Sequence, residues 1–305
     1  MKKIDVHTHV VEFVRGYGRR GEFRAVGGGR ARWANGEEMD LIPPELGETN
    51  VTIDRLAAYL REKQVEKAVL LQGSFYGFQN EYSLEAQRKY PELFLAACTA
   101  DPFALEAGEI IERFICREGV RVAKFEVSEG GGLMGIHEPF ALNGPRFMGL
   151  VDIVARNGAA LVLDLGGPGM VSFQPEAVAE IAARYPDMHI IICHLLAPGL
   201  GDEEALRTAL ETLRADNIWF DLSAVPWNVY PEAYPYPTGK KYIAMAKAIV
   251  GHKKLLWGSD LPCPLTRDSF EHLADYFQQG EPVFTEAELE DVYCNNALDA
   301  FPFER

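Results

Sequence analysis

Eight short apolar runs alternate with helix-patterned segments along this 305-residue chain, and that alternation limits its architecture more than any other feature. The runs are residues 4–10, 67–72, 93–99, 120–127, 160–165, 189–195, 218–222 and 254–257. Short and rich in Val, Ile, Leu and Phe, they suit strands buried on both faces of a parallel sheet. Between them lie apolar stripes at helical spacing: Ile53, Leu56, Tyr59 and Leu60; Ile110, Ile111, Phe114 and Ile115; Leu206, Leu210 and Leu213. Gln174-Pro175 marks a helix start with proline in its first turn, and Thr285-Glu286-Ala287-Glu288 is a capping-box pattern. Strands alternating with helices define an α/β protein, and a count of eight favours closure into a (β/α)₈ barrel over an open doubly wound sheet. No G-x-G-x-x-G follows the first strand; a histidine pair stands there instead.

Such a barrel takes ~250 residues, so one domain spanning 1–305 is expected. Two long inserts interrupt the pattern, at about 11–50 and at the Pro/Tyr-rich stretch 225–240. Each follows a strand candidate, on the face where barrels of this kind build their sites.

The net charge of −15 leaves no basic face for a phosphate backbone, which excludes nucleic acid as a partner. Six arginines nevertheless crowd the first insert: Arg15, Arg19, Arg20, Arg24, Arg30 and Arg32. They are either a solvated loop or a guanidinium source for an anionic substrate. Five cysteines without C-x-x-C spacing argue against a disulfide scaffold or a zinc ribbon. Met1-Lys2-Lys3 runs directly into a strand-like segment, and no apolar run is long enough to span a membrane. A cytoplasmic protein acting on a small molecule is expected.

His7 and His9 are two apart on the first strand, so both point to one side together with Asp5. Two adjacent imidazoles at a barrel mouth make half of a divalent-metal site. Asp260 ends the last strand, which neighbours the first in a closed barrel. It can ligate a metal and accept a proton from attacking water. His194 closes the sixth run on the same face, whereas His189, at its start, belongs to the opposite end. Lys124 and Glu126 share a face of the fourth strand; they either neutralise each other or orient a substrate carboxylate. Asp164 and Asp221 end the fifth and seventh strands, as site residues or as loop anchors. Arg30 and Trp33 of the first insert are further candidates for substrate contact. His137 stands in a Gly-rich loop within reach of the mouth, and His252 and His272 are expected at the surface.

Together these residues resemble the amidohydrolase superfamily, in particular its amidohydrolase 2 branch, which includes aminocarboxymuconate-semialdehyde decarboxylase-like proteins. The resemblance rests on Ile4-Asp5-Val6-His7-Thr8-His9 combined with Gly258-Ser259-Asp260-Leu261-Pro262, and is supported by residues 54–71, Cys193-His194 and Asn295-Asn296-Ala297. It implies a distorted (β/α)₈ barrel with one divalent metal ion, zinc or in its place manganese, and a homodimer. His7 and His9 match the family's first two ligands, Asp260 its last-strand aspartate, and His194 the histidine that acts on water or substrate. One position departs: Asp164 stands where the family's fifth-strand histidine belongs. Aspartate can ligate either metal, at the cost of added negative charge.

The leading expectation is a metal-dependent hydrolase of a small, carboxylate-bearing amide, lactone or ester, with His7, His9, Asp260 and Asp164 as ligands and Asp260 and His194 as catalytic groups. The alternatives are metal-dependent decarboxylation of an unsaturated or aromatic acid, and a degenerate barrel used for binding.

Overall fold

In the computed structural model, which describes residues 1–303, eight parallel strands follow one another around a barrel. In chain order the strands are β1 (Lys3–Thr8), β2 (Arg15–Gly18), β3 (Gly21–Gly27), β4 (Arg30–Trp33), β5 (Glu38–Asp40), β6 (Val65–Leu70), β7 (Phe94–Cys98), β8 (Val122–Glu126), β9 (Ala160–Asp164), β10 (Ile190–Ile192), β11 (Ile218–Asp221) and β12 (Leu255–Leu256). The barrel order is β1-β6-β7-β8-β9-β10-β11-β12, and each of the eight apolar runs contributes one strand. The last two residues of the 1–305 span lie outside the described residues.

The barrel closes through the segment that follows β12. Val6 N donates to Trp257 O at 3.2 Å, Asp260 N to His7 O at 2.8 Å, and His9 N to Leu261 O at 2.9 Å. These bonds set Asp260 against the histidine strand. Gly258 makes the approach possible, because a Cβ there would stand 3.0 Å from His7 Cβ and 3.2 Å from Ser223 Cβ.

Alternation along the strands separates two apolar layers. On β8, Ala123 and Phe125 face outward, and Phe125 meets Phe147 of the helix Pro145–Arg156. Val122 joins an inner cluster with Leu71, Ala97, Val162, Ile191 and Leu256 that fills the barrel. The helical stripes bury as their spacing implies, with Ile53, Leu56, Leu60, Leu206, Leu210 and Leu213 all excluded from solvent. Thr285 and Glu288 complete the capping box at Glu286–Glu290.

The first insert is more ordered than a solvated loop. Strands β2 to β5 form a four-stranded antiparallel meander of their own. It docks edgewise on two barrel loops: Arg15 N and Tyr17 N donate to Tyr76 O and Ser74 O, and Arg19 N to Gly130 O. Stacked Phe23 and Trp33, with ring centroids 4.3 Å apart, pack it against Phe75. No helix among the described residues is long and apolar enough to cross a membrane.

Candidate active site

The carboxyl ends of the barrel strands and the meander enclose a cavity of about 400 Å³. His7, His9, Lys124, Glu126, Asp164, His194 and Asp260 all line it, so the folded chain gathers residues spread over more than 250 positions. Asp5 does not join them. Its buried carboxylate accepts from His7 N at 3.1 Å and Ser259 N at 2.9 Å, which ties the first strand to the last. The β1–β6 pairing shifts between Asp5 and Thr8, an irregularity of the kind that re-aims side chains. Burial pushes the Asp5 carboxyl up to about 7, against the hydrogen bonds from Ser259 and His7.

Each site imidazole is held through Nδ1. His7 Nδ1 donates to Asp221 Oδ2 at 3.0 Å, His9 Nδ1 to the Leu71 carbonyl at 2.8 Å, and His194 Nδ1 to Ser223 Oγ at 2.9 Å. The carbonyl can only accept, and the Ser223 hydroxyl gives its own proton to Asp221. These partners assign the ring proton to Nδ1 and leave Nε2 with a lone pair. Nε2 of His7 and of His9 face Asp260 Oδ1 at 3.4 and 3.1 Å, and Nε2 of His194 faces Asp164 Oδ2 at 3.8 Å.

In the neutral rings, lone pairs opposed to carboxylate oxygens at these distances repel one another unless positive charge lies between them, either a proton on Nε2 or a cation. A divalent cation would take the place of those protons. One ligand atom each of His7, His194 and Asp260 lies within 4.8 Å of the others, with His9 against Asp260 and Asp164 against His194. His194 thus stands with the ligand set as well as in its expected place beside it.

Burial holds His9 down to about 4, so its neutral, ligating form prevails. Burial works against ionised Asp260 too, but with protons at Nε2 a hydrogen bond from His9 and the charge of His7 and His194 outweigh it and bring the carboxyl down to about 2. His194 moves upward, because Asp260, Asp164 and Asp221 overcome the cost of burying its charge. Asp221 is fully buried and is drawn well below the carboxylate range, as His7 and Ser223 overcome burial. It also accepts from the His194 backbone N at 3.0 Å and from the Ser223 hydroxyl that holds His194 Nδ1, and so braces both histidines. The sequence left Asp221 open between site residue and anchor; its place is behind the histidines, orienting them.

Backbone strain marks the same loops. His194 through Ala197 all have positive φ, and Asp260 has φ 60°. Non-glycine residues held this way cost of order 1–3 kcal/mol each and cluster where function needs them.

Lys124 Nζ lies 4.0 Å from Glu126 Oε2. Burial opposes the ammonium charge, yet Glu126, Asp164 and Asp260 raise its pKa overall, so the group stays protonated. Burial raises Glu126 despite Lys124 and a hydrogen bond from Phe75 N at 3.1 Å.

The arginine-rich insert presents little free charge. Arg15, Arg19 and Arg20 pair with Glu12, Glu129 and Glu37, and Arg30 and Arg32 both with Glu38. Arg24 donates to backbone carbonyls. Trp33 lines the cavity as expected of a substrate contact, but Arg30 is exposed and does not; Arg20 is the insert's arginine at the rim. Side-chain alternation explains this, since Arg30 and Arg32 point away from the face that buries Ala31 and Trp33. His137 is also elsewhere, bonded to Asp101 at 2.7 Å and stacked on Phe103. His252 and His272 pair with Asp291 and Asp268, away from the cavity. Sequence reasoning did not single out Ser223; its only signal is its position two residues after an aspartate that ends a barrel strand.

Fold and site together define a (β/α)₈-barrel protein with a candidate histidine–carboxylate metal site at the carboxyl ends of its strands. The Amidohydrolase family profile (Amidohydro_2) matches residues 4–303, and the chain belongs to that family of enzymes. No curated protein matches the sequence. Among solved structures, a probable 2-pyrone-4,6-dicarboxylic acid hydrolase from Acinetobacter baumannii with citric acid bound is 18% identical, with a TM-score of 0.69 over 99% of this chain and 100% of its own. An amidohydrolase from Burkholderia multivorans with bound zinc is 15% identical, with a TM-score of 0.70 over 100% of both chains. The 5-carboxyvanillate decarboxylase of Sphingomonas paucimobilis is 13% identical, with a TM-score of 0.58 over 81% of this chain and 82% of its own. At these identities the likeness establishes the fold.

Proposed function

We propose that this protein is a metal-dependent hydrolase that opens a small amide, lactone or ester bearing a carboxylate, with water as nucleophile. The observation that carries the reading is the convergence of Nε2 of His7, His9 and His194 on the carboxylates of Asp260 and Asp164. His7, His9, His194 and Asp260 would hold one divalent ion, with Asp164 at its edge. The zinc in the Burkholderia multivorans relative supports zinc as that ion. When bound, such an ion supplies Lewis acidity toward water and a substrate carbonyl.

The chain's own residues supply the rest. Asp260 is ionised and solvent-accessible enough to accept a proton from the attacking water. Asp260 can return that proton to the leaving group, while His194, its Nδ1 committed to Ser223, keeps Nε2 turned to the ion site. Asp221 keeps His7 in the required tautomer directly and His194 through the Ser223 hydroxyl. Lys124 offers a fixed ammonium to a substrate carboxylate, and Trp33 and Phe75 form an apolar wall beside it.

Hydrolysis is favoured over decarboxylation by the charge balance of the cavity. Glu126, Glu129, Asp164 and Asp260 line it against only Arg20 and Lys124, and Arg20 is already paired with Glu37. Carboxylates suit proton abstraction from water better than the grip on a departing carboxylate. Metal analysis after gentle purification should find about one equivalent of transition metal. A panel of lactones, amides and aromatic acids, followed for acid and for CO₂ release, should show acid release that chelation abolishes. CO₂ release alone would replace this reading by a lyase, and full activity after chelation would remove the metal from it.

A further inference from the structure

A second cavity, of about 550 Å³, opens beside the first between the 225–240 insert and the segment after Asp260. The two share Trp227 and Pro264 in their walls. At their junction Arg267 lies with its guanidinium carbon 3.5 Å from the Trp227 ring centroid and 4.7 Å from that of Tyr230. Arg267 follows the short helix Cys263–Thr266, so the same turn that leaves Asp260 in the inner cavity delivers it here.

Its surroundings differ from those of the insert arginines. No carboxylate pairs with Arg267 among the described residues, and its side chain donates no hydrogen bond there, although Arg15, Arg19, Arg20, Arg30 and Arg32 are all in ion pairs. The acids of the second cavity are taken. Asp268 accepts from His272 Nδ1 and Ser269 N, and Glu232 accepts from Thr238 N and its hydroxyl. Two aromatic rings hold the guanidinium, and its N–H edge is left without a partner. A planar fork of donors in that state matches a carboxylate in two parallel hydrogen bonds. Tyr230, 65% exposed, extends the aromatic surface outward, and the Tyr234–His272 stack lies along the same cavity.

We infer that this second cavity is an outer subsite for a carboxylate on a planar or aromatic group, with Arg267 as its anion-binding residue and Trp227 and Tyr230 as its walls. The inference rests on the proposed hydrolase reading, and it narrows the substrate to acids long enough to span both cavities, with one end at Asp260 and a carboxylate at Arg267. Arg267 would act on specificity, not on the reacting bond.

Direct binding tests this without turnover. Benzoate and benzamide, which differ in charge but little in shape, are titrated into the protein and followed by tryptophan fluorescence and calorimetry. The wild type should prefer benzoate by about tenfold or more, as expected for a charge-assisted bidentate pair. R267Q should bind the two alike, and H9A, whose inner site is disabled, should keep the preference. Melting curves establish that each variant is folded. If Arg267 only pins the insert, R267Q weakens both ligands equally and the preference survives, which overturns the subsite. A wild type without preference overturns it too. A preference lost in H9A and kept in R267Q places benzoate in the inner site, which overturns the subsite and leaves the hydrolase reading standing.

Discussion

The two ends of β10 carry two histidines with opposite fates. His189, at the amino end, donates through Nδ1 to Ala300 O at 3.0 Å and rests on Trp219, ring centroids 4.7 Å apart. Ala297, Ala300 and Phe301 cover the inner cluster at that end. At the carboxyl end, His194 has a positive φ, stacks on His7 at 4.7 Å and faces two carboxylates across a cavity. One end satisfies its polar groups with apolar cover; the other gathers ionisable side chains around a cavity and holds some of them on strained backbone. The contrast separates the face that stabilises the barrel from the face that does chemistry.

If that division is right, substitutions at the mouth should remove activity far out of proportion to stability. The largest effect is expected for Asp260→Asn, which removes both the proton acceptor and a metal donor. Hydrolysis should fall by about 10³-fold or more, with metal content reduced and the melting temperature lowered only modestly, because the depressed pKa of Asp260 marks a net favourable interaction with its histidine neighbours. Retention of activity would move the chemistry away from the last strand. Next comes Asp221→Asn, which leaves the cavity lining intact but weakens the brace on His7 and His194. Metal affinity or activity should drop about 10- to 100-fold, and competitive metal titration would show it. No change would reduce Asp221 to a loop anchor.

The opposite end should answer in the other currency. His189→Ala should leave kcat and KM unchanged and cost roughly 1 kcal/mol of stability in chemical denaturation, the scale of one intramolecular hydrogen bond. A loss of activity there would blur the contrast between the two ends. The smallest effect concerns Glu126. Because burial raises its pKa, the native state keeps that proton to higher pH than the unfolded chain, whose ordinary value is 4.5. Its contribution therefore favours folding below about 4.5 and is lost as pH rises toward neutrality. Glu126→Gln should flatten that segment of the stability–pH curve, and an unaltered slope would show that Lys124 keeps Glu126 ionised throughout.

Much of this was legible before folding. Continuous apolar runs and helical spacings are local properties, so the eight runs, the helical stripes, the capping box at Thr285 and the barrel class could be read directly. His7, His9, His194 and Asp260 were legible because each lies at or just past the carboxyl end of an apolar run, and neighbouring strand ends in a barrel meet. The meander was hidden, because β2 to β5 are short and rich in glycine and arginine, and their pairing is fixed by docking on the loops at Ser74, Tyr76 and Gly130. Arg30 misled for a related reason. Which arginine reaches the cavity depends on the face the meander buries, a property of the packed sheet.

The sequence by itself determined the architecture and the chemical inventory of the mouth, since periodicity and residue type are carried by the chain. Only the tertiary structure decided which nitrogen of each imidazole carries the proton, that Asp5 serves as a tie while Asp221 braces two histidines, and that Arg267 is left without a carboxylate partner. Those outcomes depend on distances of about 3 Å between residues up to 254 positions apart. Spacing along the chain does not encode such distances; closure of the barrel produces them.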